Sequence, residues 1–345
     1  MQQGIAGTGI APAPPGTTPA PGAQATVDAG TPPTGLFDAG GPGAGRGQFT
    51  LPRGIARDAQ GNFYVADTQN LRVEKFDPAG TFLTLFGGSG TGPGQFAPLR
   101  PDAEGTGPGG VAADAAGNVY VADTWNHRIQ KFDATGKFLL QWGSFVDLGD
   151  PNGTNADKAQ QGFYGPRGVA VGPDGNLYVT DTGNKRVVIF DANGGYQREI
   201  SSGVSPTRKA PDYPFTQPGE LNEPIGIAVD SAGNVYVADT NNRRIQKFSP
   251  TGQPAAQWPV PAGSWEPGPY LEPFLAVDGA GNLYATAPTS HSVLKFSPTG
   301  TLLGQKSAQG DATLQLPTGL TVDAQGTVYV VDTTASRVVK LGTIP

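Results

Sequence analysis

The sequence predicts an all-β fold, a six-bladed β-propeller, on three observations. One unit of sequence recurs six times, with equivalent positions 56, 58, 58, 48 and 45 residues apart. Each unit alternates short period-two runs with Gly-containing turns, and helical spacing is not sustained anywhere. Repeats of about 40–50 residues that hold several short strands are typical of propeller blades.

The first unit shows the elements of a blade in order. It opens with a Pro-x-Gly strand at Pro52–Ala56, followed by an Asp-x-x-Gly-Asn turn at Asp58–Asn62. A second strand at Tyr64–Asp67 leads through an Asn-x-Arg loop to a third strand ending at Phe76. The Gly of the turn favours the left-handed conformation of a short hairpin. In the degenerate fifth unit, Ala287-Pro288 replaces Asp-Thr and Ser292 replaces Arg.

This pattern resembles the NHL repeat. The shared motif is Pro-x-Gly-[Ile/Val]-Ala, then Asp, then Gly-Asn-x-Tyr-Val-Ala-Asp-Thr-x-Asn-x-Arg-[Ile/Val]-Gln-Lys-Phe, and the resemblance covers about residues 35–345. The resemblance is specific because five good copies and one degenerate copy of the motif recur in register. The resemblance implies a six-bladed propeller.

The two ends of the chain are expected to meet in the last blade. The sixth unit stops at Lys340-Leu341-Gly342 without a fourth strand, while Leu36-Phe37 precedes the first unit as Leu85-Phe86 precedes the second. Residues about 33–38 are therefore expected to supply the outer strand of the last blade and so remove an open edge. This divides the chain into residues 1–32 and a propeller at 33–345.

Residues 1–32 are interpreted as a flexible arm or stalk. Gly, Pro, Ala and Thr occupy 27 of the first 35 positions, and Asp28 is the only charge there. Such a segment buries too little apolar surface to offset the entropy of ordering. The alternative is a segment that orders against a partner or a neighbouring subunit. The Pro/Thr/Ala-rich composition favours an extracellular or cell-surface protein.

Composition excludes several classes of function. A formal charge of −6 and a pI near 5.0 argue against a nucleic-acid partner. No apolar run approaches the roughly 20 residues of a membrane span. The chain has no cysteine, which excludes disulfides and thiol catalysis.

The repeated charges are interpreted as structural. An Asp and an Arg flank the loop between strands two and three in five units, and an active site is rarely copied into every blade. The Asn between them is expected to form the turn by adopting the left-handed conformation. The sets are Asp67/Arg72, Asp123/Arg128, Asp181/Arg186, Asp239/Arg244 and Asp332/Arg337.

The sequence indicates neither a metal site nor a cofactor. Its two histidines, His127 and His291, lie in units two and five, whereas zinc takes three or four converging ligands. The Asp-x-x-Gly-Asn turns offer fewer oxygens than calcium requires. Peptide-amidating lyases with this kind of fold place several histidines around the channel, a set that this chain does not contain. No nucleophile elbow or phosphate loop is present.

Binding is the predicted function. The connections between blades and the loops between strands two and three emerge on one face, which we call the insertion face. We expect a protein, peptide or glycan to bind there to a non-catalytic scaffold, because loops on a rigid scaffold are where function concentrates. The alternative is a lyase or hydrolase with its site at the mouth of the central channel. The predicted ligand-binding residues are Trp125, His127, Tyr213, Trp265 and Tyr270, with Arg53 and Arg167 facing the channel.

Overall fold

The computed structural model describes residues 42–97, 107–149, 159–200, 217–266, 271–307 and 313–345. Within these ranges the chain consists of β-strands, turns and two short 3-10 segments, Thr124–Asn126 and Thr240–Asn242. No helix in the described ranges has the length and apolar composition needed to cross a membrane.

The strands follow one another as antiparallel sheets, one sheet to a blade. The first three blades contain β1 (Ile55–Arg57), β2 (Phe63–Asp67), β3 (Arg72–Phe76), β4 (Phe82–Gly87), β5 (Pro108–Ala113), β6 (Val119–Asp123), β7 (Arg128–Phe132), β8 (Phe138–Trp142), β9 (Pro166–Val171), β10 (Leu177–Asp181), β11 (Arg186–Phe190) and β12 (Tyr196–Ile200). The last three contain β13 (Pro224–Val229), β14 (Val235–Asp239), β15 (Arg244–Phe248), β16 (Pro254–Pro259), β17 (Leu275–Val277), β18 (Leu283–Ala287), β19 (Ser292–Phe296), β20 (Leu302–Lys306), β21 (Pro317–Val322), β22 (Thr327–Asp332) and β23 (Arg337–Thr343).

The sheets form a closed ring of six blades. Five blades have four strands in sequence order, and the sixth has three strands among the described residues. The innermost strands β1, β5, β9, β13, β17 and β21 each contact the next around the ring, and β21 contacts β1. The predicted six-bladed propeller is therefore confirmed.

Period-two patterning places alternate side chains of one strand in different cores. In β2, Phe63 and Val65 pack with Tyr329 and Val331 of blade six, whereas Tyr64 packs with residues of blade two. Every residue of β2 is buried. The apolar core thus lies in the seams between blades, and burial there holds adjacent blades together.

The Gly of Pro-x-Gly permits close packing around the channel. A Cβ atom added at Gly54 would lie 2.5 Å from the carbonyl oxygen of Gly109, and one at Gly319 would collide with that of Arg53. Both approaches are far closer than an ordinary contact, so a side chain at either position would push the innermost strands apart. Phe274 occupies this position in blade five, where the repeat is degenerate.

The Thr of Asp-Thr joins one blade to the next. Thr68 Oγ1 donates to the carbonyl oxygen of Pro108 at 2.8 Å, and Thr333 Oγ1 donates to that of Pro52, also at 2.8 Å. The second bond links blade six to blade one. Thr124 and Thr182 make equivalent bonds to Pro166 and Pro224. The hydroxyl therefore satisfies a buried carbonyl across the seam.

The predicted closing strand at 33–38 and the predicted arm at 1–32 lie outside the described residues. The first described residue, Pro42, forms a parallel bridge to Phe49. Ser89, two residues after the end of β4, makes the corresponding bridge to Phe96. The closing strand remains a prediction.

Candidate functional site

The insertion face rests on a repeated Asp–Asn–Arg loop. In blade two, Arg128 Nε donates to Asp123 Oδ2 at 2.7 Å, and Asn126 Nδ2 donates to the same oxygen. The Arg128 guanidinium also donates to the carbonyl oxygens of Thr91, Gly92 and Gln95 in the connection from blade one. Burial raises the pKa of Asp123, and Asn126 and Arg128 oppose the shift. All five predicted Asp/Arg sets form pairs.

The prediction that Asn adopts the left-handed conformation is wrong. The side-chain amide of Asn donates a hydrogen bond to the Asp carboxylate. The residue after Asn, not Asn itself, has the positive φ. His127, for example, has φ of 53°. The equivalent residues in the other blades are Leu71, Lys185, Arg243, His291 and Ser336, with φ between 51° and 57°. Six loops of one backbone shape thus carry five different residue types at the same position.

An exposed aromatic cluster lies where blades two and three meet. Phe145 and Tyr164 are 48% and 38% exposed, and their rings are 5.3 Å apart in an edge-to-face arrangement. His127 contacts both rings, at 4.8 Å from Phe145 and 6.1 Å from Tyr164. We call Phe145, Tyr164 and His127 the aromatic patch. His127 lies in the loop between β6 and β7, and Phe145 and Tyr164 lie in the connection between blades two and three. The loop and the connection therefore emerge on one face, as predicted.

The imidazole of His127 anchors the patch in its neutral form. The backbone N–H of Gly165 donates to His127 Nδ1 at 3.1 Å, a bond that requires an unprotonated acceptor. Burial lowers the pKa of this histidine, which favours the same form. His127 therefore holds Tyr164, the residue before Gly165, in position beside Phe145.

The other predicted aromatic anchors have different outcomes. Trp125 is half-buried in the 3-10 segment beside His127. Trp265 is 1% exposed, packs in the core between blades four and five, and donates its indole N–H to the carbonyl oxygen of Thr286. It is therefore a core residue rather than an exposed anchor. Tyr213 and Tyr270 lie outside the described residues.

The predicted channel residues Arg53 and Arg167 meet at a buried carboxylate. Arg53 Nη1 donates to Glu272 Oε1 at 2.6 Å, and Arg167 Nη1 pairs with the same oxygen. The three residues come from blades one, three and five, so they meet across the channel. They stand at or just before β1, β9 and β17, which is the insertion-face end. Sequence reasoning missed Glu272, because it lies in the degenerate fifth unit.

The histidines do not converge. His291 Nδ1 lies 2.7 Å from the carbonyl oxygen of Gln315 in blade six, whereas His127 belongs to the patch between blades two and three. Among the described residues, no three His, Cys, Asp or Glu side chains are grouped closely enough to hold a metal ion. The expected absence of a metal and of a cofactor remains a prediction.

Glu74 differs from its counterparts in other blades. Gln130 Nε2 donates to Asp123 Oδ2 at 3.0 Å, and Gln246 Nε2 donates to Asp239 Oδ2 at 2.9 Å. Glu74 occupies this place beside Asp67 and is fully buried. Burial raises its pKa to about 8, Arg72 opposes the shift, and the charge of Asp67 adds to it. Glu74 Oε2 accepts from the backbone N–H of Gly47 at 2.7 Å, and Glu74 Oε1 pairs with Arg72, so blade one holds a second carboxyl group where blades two and four hold a neutral amide.

We expect Glu74→Gln to make the protein more resistant to alkaline pH. Because the pKa of Glu74 is higher folded than unfolded, its stabilising contribution is complete below about 4.5 and is lost as the pH rises through about 8. Melting temperatures of the two proteins should therefore nearly coincide at pH 4.5, with the variant several degrees higher at pH 8.5. Gln130→Glu is the matched control and should introduce the same loss in blade two. A constant difference at all pH values would contradict this account.

Comparison with known proteins relates the repeats to a family. The profile of the NHL repeat matches residues 49–76, 106–132, 163–190, 221–248 and 314–341. The match passes over the degenerate fifth unit.

Several curated proteins are similar to parts of the chain. Protein brain tumor of Drosophila melanogaster is 31% identical over 153 residues, which is 44% of this chain and 12% of that protein. NHL repeat-containing protein 3 of Mus musculus is 30% identical over 210 residues, 59% of this chain and 51% of that protein. A probable peptidyl-alpha-hydroxyglycine alpha-amidating lyase of Caenorhabditis elegans is 30% identical over 145 residues, 41% and 37% respectively. The chain thus spans about half or less of the length of these relatives.

Solved structures share the fold. A gluconolactonase from Xanthomonas campestris superposes with a TM-score of 0.57 at 19% identity, covering 87% of this chain and 86% of that one. A virginiamycin B lyase from Staphylococcus aureus gives a TM-score of 0.51 at 14% identity, covering 81% and 77%. At such identities the likeness concerns architecture alone.

Proposed function

The chain belongs to the NHL-repeat family of six-bladed β-propellers, and from this premise we propose that it is a binding protein whose insertion face receives a protein or peptide. The observation that carries the proposal is the aromatic patch. Phe145 and Tyr164 are large apolar side chains that remain about half exposed on a rigid face. Aromatic residues held in this way are typical of the centres of interfaces.

The loops support the proposal by their rigidity. Each Asp–Asn–Arg loop is tied to the preceding connection by partly buried hydrogen bonds, such as those of Arg128 to Thr91, Gly92 and Gln95. A ligand would therefore meet a surface that is already ordered, and ordering it would cost little on binding. The six left-handed positions add side chains of varied chemistry around the same face.

A peptide display library selected on the wild-type protein tests the proposal. Peptides enriched there should bind Phe145→Ser/Tyr164→Ser about 30-fold or more weakly, the equivalent of about 2 kcal/mol at one binding hot spot. Leu83→Ser is the matched control, because Leu83 is 49% exposed but lies on the outer strand β4. It should leave the affinity unchanged.

Two outcomes would count against this function. Enriched peptides that bind the double variant as tightly as the wild type would remove the patch from the site. Failure to enrich any peptide, with no binding on a glycan array, would remove the binding function itself. Glycan-array hits lost in the double variant would keep the site and change the ligand class to a glycan.

An enzyme is the second candidate. The similarity to the probable amidating lyase of Caenorhabditis elegans supports it. The channel mouth also holds three ionisable groups, Arg53, Arg167 and Glu272. Elemental analysis of the purified protein with a lyase and lactonase screen tests this candidate. A stoichiometric metal together with turnover that is lost in Glu272→Gln would favour it over binding alone.

The location proposed for this function is outside the cell or on its surface. The support is the Pro/Thr/Ala-rich composition of residues 1–32. Detection of the native protein only in cytoplasmic fractions would refute this location.

A further inference from the structure

Two arginines share one carboxylate at the mouth of the channel. Arg53 Nη1 and Arg167 Nη1 both address Glu272 Oε1. A guanidinium carries five N–H donors in a planar fork, and a carboxylate fills one fork with two parallel bonds. Because both arginines converge on one oxygen of Glu272, this single carboxylate does not occupy both forks in the two-bond arrangement.

The charges around the cluster favour an anion. The side chains of Arg53 and Glu272 are 9% and 6% exposed, and that of Arg167 is 24% exposed. Glu223 acts electrostatically on both Arg167 and Lys185. The groups in direct contact are two guanidiniums and one carboxylate. The one carboxylate in direct contact with the two guanidiniums therefore neutralises only one of them, in a protein whose net charge is −6.

We propose that Arg167, backed by Arg53, binds a carboxylate group of the ligand that docks on the insertion face. The more exposed Arg167 faces the incoming group, whose carboxylate competes with Glu272 for the guanidinium. A carboxylate fits because Glu272 already presents that group to both arginines. The inference rests on the proposed binding function and adds the chemical class of the ligand.

The test uses small acids as probes. N-acetyl-trialanine as the free acid, its C-terminal amide and sodium acetate are titrated at constant ionic strength, and the arginine side-chain Nε–Hε NMR signals are followed. We expect saturable shifts with the free acid and none with the amide. Tighter binding of the tripeptide acid than of acetate would identify a peptide end as the source, and equal binding would identify a small free acid.

Three variants assign the effect to the cluster. Arg167→Gln should weaken the free acid tenfold or more, and Glu272→Gln should tighten it severalfold because the competing carboxylate is gone. Arg243→Gln is the control, since Arg243 forms an exposed pair with Glu266 and should bind the acid as the wild type does. Circular dichroism checks the fold of each variant. If Arg167→Gln does not fold, the Glu272→Gln result decides.

The inference is overturned if acid and amide give the same shifts, if no probe gives a saturable shift, or if Arg167→Gln behaves as Arg243→Gln does. It is also overturned if Glu272→Gln leaves the affinity for the acid unchanged. These probes do not depend on the aromatic patch. The variant with both Phe145 and Tyr164 replaced could therefore lose peptide binding while the small probes show no preference for the acid over the amide. That result would retain the binding function and reject the carboxylate site.

Discussion

Removing residues 1–40 is expected to lower the melting temperature by roughly 5–10 °C, whereas removing residues 1–32 leaves it within a few degrees. The longer deletion removes the predicted closing strand with Leu36 and Phe37, and burial of such side chains stabilises by about 1.5–3 kcal/mol each. The size scaling of thermal unfolding then gives a shift of this order. Calorimetry of both truncations measures it.

A third variant provides the control for length. Replacing Leu36 and Phe37 by Ser in the full-length chain should lower the melting temperature nearly as much as the longer deletion, because it removes only the apolar side chains. If both truncations melt together, or if the double substitution has no effect, these residues do not close the last blade.

Arg128→Ala is expected to cost about 3–5 kcal/mol, the range for removing one partner of a buried pair. The substitution leaves the fully buried Asp123 without its cation and frees three carbonyl oxygens in the connection from blade one. Each buried acceptor left unpaired adds to the loss. Urea unfolding monitored by tryptophan fluorescence measures the difference in free energy.

Blade six supplies the matched control. The side chain of Arg337 is 24% exposed, and its bonds to Asp332 are 3.1 and 3.2 Å long. Because solvent screens this pair, Arg337→Ala should cost only about 1 kcal/mol. Equal losses for the two variants would show that burial does not set the strength of the repeated pair.

The fold was predictable because its determinants are local and repeated. Strands such as Phe63–Asp67 alternate with period two, and the Gly61 turn has one consistent geometry. The role of Thr68 was not predictable in the same way. Its hydroxyl bonds to Pro108, forty residues away, and nothing in the local pattern distinguishes such a contact from a turn hydrogen bond.

The candidate site was predicted only in part, for related reasons. Arg53 and Arg167 stand out as repeated cations in Pro-Arg-Gly, but their common partner Glu272 lies in the unit where the repeat is weakest. The aromatic content of the connections indicated surface anchors without showing which rings face inward. Trp265 packs in the core between blades four and five, and its indole N–H is satisfied there by the backbone oxygen of Thr286, a partner 21 positions later.

The seam between blades six and one has a consequence for how the protein is made. Its hydrogen bonds join Pro52 to Thr333, 281 positions later, and Arg53 to Thr318, 265 positions later. At about 5–20 residues per second on the ribosome, blade one emerges roughly 15–60 s before its partner exists. During that interval the side of β2 that carries Phe63 and Val65 has no Tyr329 and Val331 to cover it. The nascent chain therefore leaves an apolar sheet face of blade one uncovered until its last blade is translated, longer than at any seam between consecutive blades.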